Sequence, residues 1–319
     1  MIPVDINWLQ SGINTSNLPR TDEIHRVSLR FFPADGSTAF DRYLEGNVIE
    51  GEIAVPVGRY SVVAFNESIY DLDWWQGVTF TDVDSYGGFA ANVDPDAAAN
   101  YRFYTPVAGQ QLVAEPQPLA SWSLGDFEVT EQMAYAQHGS GSLSPREQTM
   151  LDALTHIVMR RLTFTVNIVA DVQNLGSAQD VYATAGGFAR RIYMASGEVE
   201  PSPCAHICQL GARQYDGPDM RDGTARRSFL SFGRLLAPGS AAQDSGAPGS
   251  AAESYSLGLT IYTVDGALYA PPSPLQWDVT DQVTAGPGPD INIYVRFSLP
   301  YVEGEVKVTD WDDEDIIIQ

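Results

Sequence analysis

Apolar and polar residues alternate with a period of two over much of the chain, the spacing that puts one face of a β-strand in a core and the other in water. Val4, Ile6 and Trp8 show it first, then Val27, Leu29 and Phe31 against Ser28 and Arg30, ending at the turn signal Pro33-Ala34-Asp35-Gly36. Both are read as half-buried strands. Residues 49–55 and 60–66, separated by Pro56-Val57-Gly58, predict a hairpin whose second arm is central to a sheet. Residues 101–104, 119–124 and 127–129 supply further short strands. Residues 66–100 lose the alternation and are read as a long surface loop carrying Trp74, Trp75, Phe80, Tyr86 and Phe89.

Ser144-Pro145-Arg146-Glu147 is a capping box with proline at the first helical position, so a short helix is expected over residues 145–154. The domain boundary is placed there. From Val158, the positions Leu162, Phe164, Val166, Ile168 and Ala170 predict one long strand with a wet face, opening a second unit. Strands are expected again at 188–194, 229–235 and 257–264, the last turning at Asp265-Gly266. Ile291, Ile293, Val295, Phe297 and Leu299 alternate strictly, and a final strand is placed through Val306 and Val308. Residues 236–254, rich in Ala, Gly, Ser and Pro, read as a flexible loop. The expectation is an all-β protein of two tandem β-sandwich domains, 1–155 and 156–319, with a short helix near the boundary.

Composition narrows the function. At 319 residues with 44% hydrophobic and 18% charged, the chain has apolar mass for two cores. Its formal charge of −23, from 41 acidic and 18 basic residues, repels phosphate backbones, so no nucleic-acid partner is expected. No nucleophile elbow, phosphate loop, zinc-protease motif or dinucleotide fingerprint occurs, and the four histidines are scattered. The protein is read as a non-enzyme without cofactor or metal. Cys204 and Cys208 are placed in a surface loop, either closing a small disulfide or staying reduced.

Two segments stand out as interaction candidates. Asp71 and Asp73 beside Trp74 and Trp75 combine carboxylates with an aromatic platform, which suits a sugar ring or a protein partner. The competing reading has one tryptophan plugging the sandwich edge. Asp82-Val83-Asp84-Ser85-Tyr86-Gly87 has the spacing of the start of a calcium loop, but Val93 stands where the closing glutamate belongs. The chain ends in Ile316-Ile317-Ile318-Gln319 after an acidic run, a strand suited to its own sheet or to a neighbour's edge.

Val27-Ser28-Leu29-Arg30-Phe31-Phe32-Pro33-Ala34-Asp35-Gly36, residues 57–66 and Pro118-Leu119-Ala120 resemble fimbrillin-type proteins of the Bacteroidales, the anchor and accessory subunits of type V pili. Met159-Arg160-Arg161-Leu162-Thr163-Phe164, Ala185-Gly186-Gly187-Phe188-Ala189 and Val308-Thr309-Asp310-Trp311 extend the resemblance over nearly the whole chain. It implies two transthyretin-like Greek-key sandwiches, export as an outer-membrane lipoprotein, and assembly into surface fimbriae by strand exchange at residues 316–318. The expected partners are other fimbrial subunits or host and microbial surface ligands. The alternative is a carbohydrate-binding adhesin using the Trp74/Trp75 loop. The family's lipid-bearing cysteine has no counterpart here; on the resemblance, it and an export leader belong to the natural protein ahead of this sequence.

Overall fold

The computed structural model describes residues 1–11, 26–46, 48–71, 75, 77–95, 107, 109–136, 142–235, 254–269, 271, 275–285 and 290–301. The first part of the chain forms β1 (Ile2–Asn7), β2 (Arg26–Pro33), β3 (Phe40–Glu45), β4 (Glu50–Ile53), β5 (Gly58–Asn66), β6 (Val78–Thr81), β7 (Ala90–Val93), β8 (Gln111–Val113) and β9 (Ala120–Val129). Two helices follow, α1 (Glu131–Ala136) and α2 (Pro145–Thr155). The remainder is β10 (His156–Val158), β11 (Arg160–Arg161), β12 (Phe164–Gln173), β13 (Ala178–Ala189), β14 (Arg191–Tyr193), β15 (Pro203–Gln209), β16 (Ala212–Tyr215), β17 (Gly223–Ser231), β18 (Ser256–Thr263), β19 (Gln276–Asp278), α3 (Thr280–Ala285) and β20 (Ile291–Ser298). The protein is all-β with a short helix in mid-chain.

Among the described residues these strands make five sheets, ordered β10-β1-β4, β11-β9-β5-β2-β3, β14-β7-β6, β16-β17-β12-β20 and β19-β18-β13-β15-β8. The last two face each other across a core of alternating side chains, Val166, Ile168 and Ala170 from β12 with Val181, Ala183 and Ala185 from β13. β5 is central in its sheet, as its apolar run predicts. The capping box forms as read: Glu147 N–H donates to Ser144 Oγ at 3.3 Å, and Ser144 N–H donates to the Glu147 carboxylate at 2.9 Å. Thr130 also donates to that carboxylate, and this bond, ahead of those from Ser144, lowers the Glu147 pKa.

Several expectations are corrected. Residues 49–55 and 60–66 make no hairpin, because β4 pairs antiparallel with β1 while β5 pairs with β2 and β9 in another sheet. The strand expected from Val158 is three: β10 lies parallel to β1, β11 pairs with β9, and only β12 enters the β17–β20 sheet. The chain thus steps between sheets while its alternation continues. In return β8, from the first half, adds to β15 of the second. Residues 101–104, 236–253 and 302–319 lie outside the described residues, and with them the expected strand at Val306 and Val308.

β2 is not half-buried. Val27, Leu29 and Phe31 face a core shared with β1 and α2, whereas Phe32 on the opposite face belongs to a second core. That second core is built by residues read as a surface loop: Trp75, Val78, Phe89, Ala91 and Val93 are all buried, and β6 and β7 lie among them. A sheet covered on both faces buries its polar alternates too. Ser28 Oγ therefore donates to Glu67 O at 2.5 Å, and Arg30, with 2% of its side chain exposed, donates from Nη1 to both Asp41 carboxylate oxygens at 2.8 and 2.9 Å. Its Nε donates to Val83 O at 2.7 Å.

The cysteines also sit elsewhere than expected. Both lie on the buried strand β15 and are free. Positions four apart on an extended strand are about 13 Å apart, roughly twice the Cα separation that a disulfide spans. Burial pushes each thiol up to about 12, which keeps both protonated. The neighbouring strand β13 needs a glycine: Gly187, at φ +96, forms the bulge between β13 and β15, where a Cβ would stand 2.7 Å from Ser254 O. Between the cysteines, His206 lies against Phe188 and Phe229, its Nδ1–H aimed at Ala114 O 3.1 Å away.

Two stability measurements follow. Asp41→Ala leaves Arg30 buried without its carboxylate partner and is expected to lower the unfolding free energy in urea by about 3 kcal/mol, while an Arg30→Met/Asp41→Leu pair loses less than the single change. Burial lowers the His206 pKa to about 4, so the folded state keeps it neutral while the unfolded imidazole takes a proton near 6.5. Between those values the unfolded state binds more protons. Stability is therefore expected to fall by up to about 3 kcal/mol as pH drops from ~6.5 to ~4, with no His206 contribution above that window. His206→Phe, measured by urea unfolding across the same range, is expected to remove that part of the slope.

Candidate interaction site

The tryptophan segment begins where β5 is stopped. Asn66 bridges to the next strand with both halves of its amide, Nδ2 donating to Pro118 O and Oδ1 accepting from Ala120 N, each at 2.9 Å. Glu67 then takes a left-handed conformation, φ 58, and turns the chain. Asp71 N–H donates to Ser68 O at 2.9 Å and Trp75 N–H to Asp71 O at 3.1 Å, so Asp71 is a half-buried member of the turn. Trp75 is 5% exposed, its Nε1–H donating to Ser68 O at 2.8 Å and its ring set edge-on to Phe80 at 5.1 Å. It plugs the core beside β6. Asp73 and Trp74 lie outside the described residues, so a glycan platform here rests on them and on Asp71.

The calcium-like stretch serves arginines. Asp82 binds Arg191 at 2.7 Å, and Asp84 lies 3.7 Å from Arg30. Ser85 N–H and Phe89 N–H close tight turns onto Asp82 O and Ser85 O. The loop is thereby fixed from both sides: Arg30 reaches it from β2, and Arg191 from β14 while also binding Glu200 at 3.3 Å. Arg160 ties down the far end of β14, its guanidinium donating to Met194 O, Ala195 O and Ser196 O. Burial lowers the Arg160 pKa, the cost of withdrawing a cation from water.

The second expected place, Ile316, Ile317 and Ile318, is outside the described residues, but the sheet edge leading to it is not. β20 runs parallel to β12 with strict alternation, Ile291, Ile293 and Val295 inward and Asn292, Tyr294 and Arg296 outward. Leu299 N–H reaches Gln173 O at 3.0 Å. The same phase turns the backbone groups of Asn292, Tyr294, Arg296 and Ser298 away from β12. No strand pairs with that side among the described residues. One rung is closed by a side chain: Gln282 of α3 accepts from Tyr294 N–H at 2.7 Å and donates to Tyr294 O at 3.0 Å. A primary amide so placed mimics a neighbouring strand at a single residue.

α3 is held there by its own sequence. Asp278 accepts from Thr280 N–H at 2.9 Å as a cap, and Val279 and Val283 bury one side, leaving Gln282 on the other. Sequence reading overlooked this helix, although Asp278 followed by Val279 and Val283 at helical spacing is a usable signal. Gln282 itself carries no such signal, because its partner is backbone twelve residues away.

Residues 3–208 match the family model described as Domain of unknown function (DUF5119). No curated protein matches the chain. Among solved structures, an adhesin candidate from Bacteroides ovatus superposes with a TM-score of 0.54 at 16% identity, over 96% of this chain and 95% of that one, and shows the same fold. The fimbrial anchor protein Mfa2 of Porphyromonas gingivalis gives 0.45 at 13% identity, over 92% and 90% of the two chains. A Bacteroides thetaiotaomicron candidate polysaccharide-binding protein (DUF1812) gives 0.43 at 12%, over 93% and 90%. The Bacteroides ovatus neighbour thus shares the all-β fold that the fimbrillin-type resemblance implies. Through the match over residues 3–208, this chain belongs to the DUF5119 family.

Proposed function

We propose that the protein is a non-enzymatic structural or accessory subunit of a type V fimbria-like assembly on the surface of a Gram-negative bacterium, joined to its neighbours by β-strand addition. The observation that carries this reading is the β20 edge. It is long, its apolar face is buried, and among the described residues its outward backbone groups have a single side-chain partner, Gln282, at Tyr294. An extended segment from a neighbour satisfies such groups rung by rung, with affinity from the main chain and selectivity from alternate side chains. The fold shared with an adhesin candidate and the fimbrillin-type resemblance support the same reading. On it, residues 1–155 and 156–319 are the two structural units, interlocked where β10, β11 and β14 join sheets of the first and β8 joins a sheet of the second, residues 316–318 are the segment donated onward, and a lipid anchor holds the assembly at the outer membrane.

Acceptance and donation separate by mutation. Arg296→Pro removes an N–H that points away from β12, so the internal ladder survives and the melting temperature is expected to shift by no more than about 5 °C. Incoming strands lose a rung at that point. Quantified in sheared surface fractions, this variant and a deletion of residues 314–319 are each expected to leave the fimbriae. Wild-type incorporation of Arg296→Pro overturns the β20 edge, and wild-type incorporation of the deletion overturns strand donation.

A further inference from the structure

The outer face of the β16-β17-β12-β20 sheet is polar in an ordered way. Ser228 Oγ donates to Asn167 Oδ1 at 2.6 Å, and Asn167 Nδ2 donates to Asn292 Oδ1 at 3.0 Å, a relay crossing three strands with one direction of donation. Each group is oriented by its neighbour. The unused donors of Asn167 and Asn292 therefore project from fixed amides rather than from freely rotating ones, which reduces the entropy lost on binding.

At the Ser228 end this relay opens into a groove of about 370 Å³ between residues 115–118 and the strands β12 and β17, with Thr165 and Ser228 on its wall. Its polar groups are also held. Glu115 binds Arg227 at 2.8 Å and accepts from Leu230 N–H at 3.4 Å, and Gln117 Oε1 accepts from Gly77 N–H at 3.1 Å. Pro118, exposed on the groove wall, supplies apolar surface between them. Tyr294, 62% exposed, stands on the same face as Asn292 and opposite Val169, about 7 Å along the strand.

Most charges on and around this face are paired, Arg296 with Asp171 at 2.6 Å, Arg227 with Glu115 at 2.8 Å, and Arg161 with Asp290 at 3.0 Å, while Arg226, opposite Val169, donates to Thr224 Oγ1 at 3.2 Å and has no carboxylate partner among the described residues. In a chain of formal charge −23 this strip is close to balanced, with Arg226 its one unpaired charge among the described residues. An anionic polymer meets the repulsion of the whole molecule, and a cationic one meets carboxylates already engaged. A neutral chain bearing both hydroxyls and apolar ring faces fits all three features: oriented amides, apolar groove wall and exposed aromatic ring.

We propose that the groove at residues 115–118 and the Ser228–Asn167–Asn292 relay, with Tyr294, bind a neutral oligosaccharide. The site is separate from the tryptophan segment and does not depend on the fimbrial role. Its sugars lie along the relay, hydroxyls accepting from the two asparagine amides and donating to Ser228, with one ring against Tyr294.

The test uses the full chain on an array of neutral gluco-, manno-, galacto- and xylo-oligosaccharides, followed by calorimetric titration of those retained. Binding to at least one is expected, insensitive to added sodium chloride. Asn167→Ala and Tyr294→Ala are each expected to weaken it about tenfold. Tyr70→Ala, equally exposed but on the tryptophan segment, leaves it unchanged. Asn292→Ser, which shortens the relay by one amide at an exposed position, repeats the loss if Asn167→Ala fails to fold. An array blank for every neutral glycan, binding that survives both the Asn167 and Tyr294 changes, or binding abolished by salt overturns the proposal. Arg296→Pro, which tests strand addition, distinguishes failure of this site from failure of the fimbrial reading.

Discussion

An arginine inside a sheet constrains everything packed against that sheet. Arg30 occupies a position on β2 that both neighbours and a covering layer seal from water, and its charge is tolerable only because Asp41 accepts from its Nη1 and Val83 O from its Nε. Val83 and Asp84 belong to the loop between β6 and β7, so the loop's course is set by where that guanidinium lies. Arg191 repeats the arrangement from the other side through Asp82. The covering layer is thus fastened by ionic contacts at its rim and by Trp75, Phe80 and Phe89 beneath, ring against ring.

This explains what could be read in the sequence and what could not. Strand existence was legible at β1 and β20, where one face meets a core and the other meets solvent, and so was the Ser144–Glu147 cap, whose partners are three residues apart. Ser28 and Arg30 misled because alternation records that a side chain is polar, not whether something distant will cover it. The cover is supplied by residues some fifty positions later, in a stretch whose apolar residues lack a regular period. The same limit applies to Cys204 and Cys208: their spacing fits a loop as well as a strand, and only pairing with β13 and β8 decides.

The candidate surfaces divide in the same way. The buried half of β20 was visible as alternation, but its edge position follows from sheet order, and Gln282 is recognised only once α3 is seen beside it. The relay from Ser228 to Asn292 joins residues 61 and 125 positions apart in its two links. By contrast, the cluster that looked most like a site in the sequence gives its second tryptophan to the core. Local composition favoured the segment richest in aromatics and acids, whereas the ordered polar geometry arises on a strand face of ordinary composition.

The direction of β20 has a mechanical consequence. Because it lies parallel to β12, paired from Val166–Ile291 to Gln173–Ser298, tension applied along the strand through the chain beyond it loads this interface in shear. Its hydrogen bonds then share the load and yield together, instead of parting one after another as in a hairpin pulled from its open end. β1, parallel to β10 near the other terminus, is loaded by the same geometry. A chain stretched from both ends therefore meets resistance in the orientation in which strand pairs hold most force.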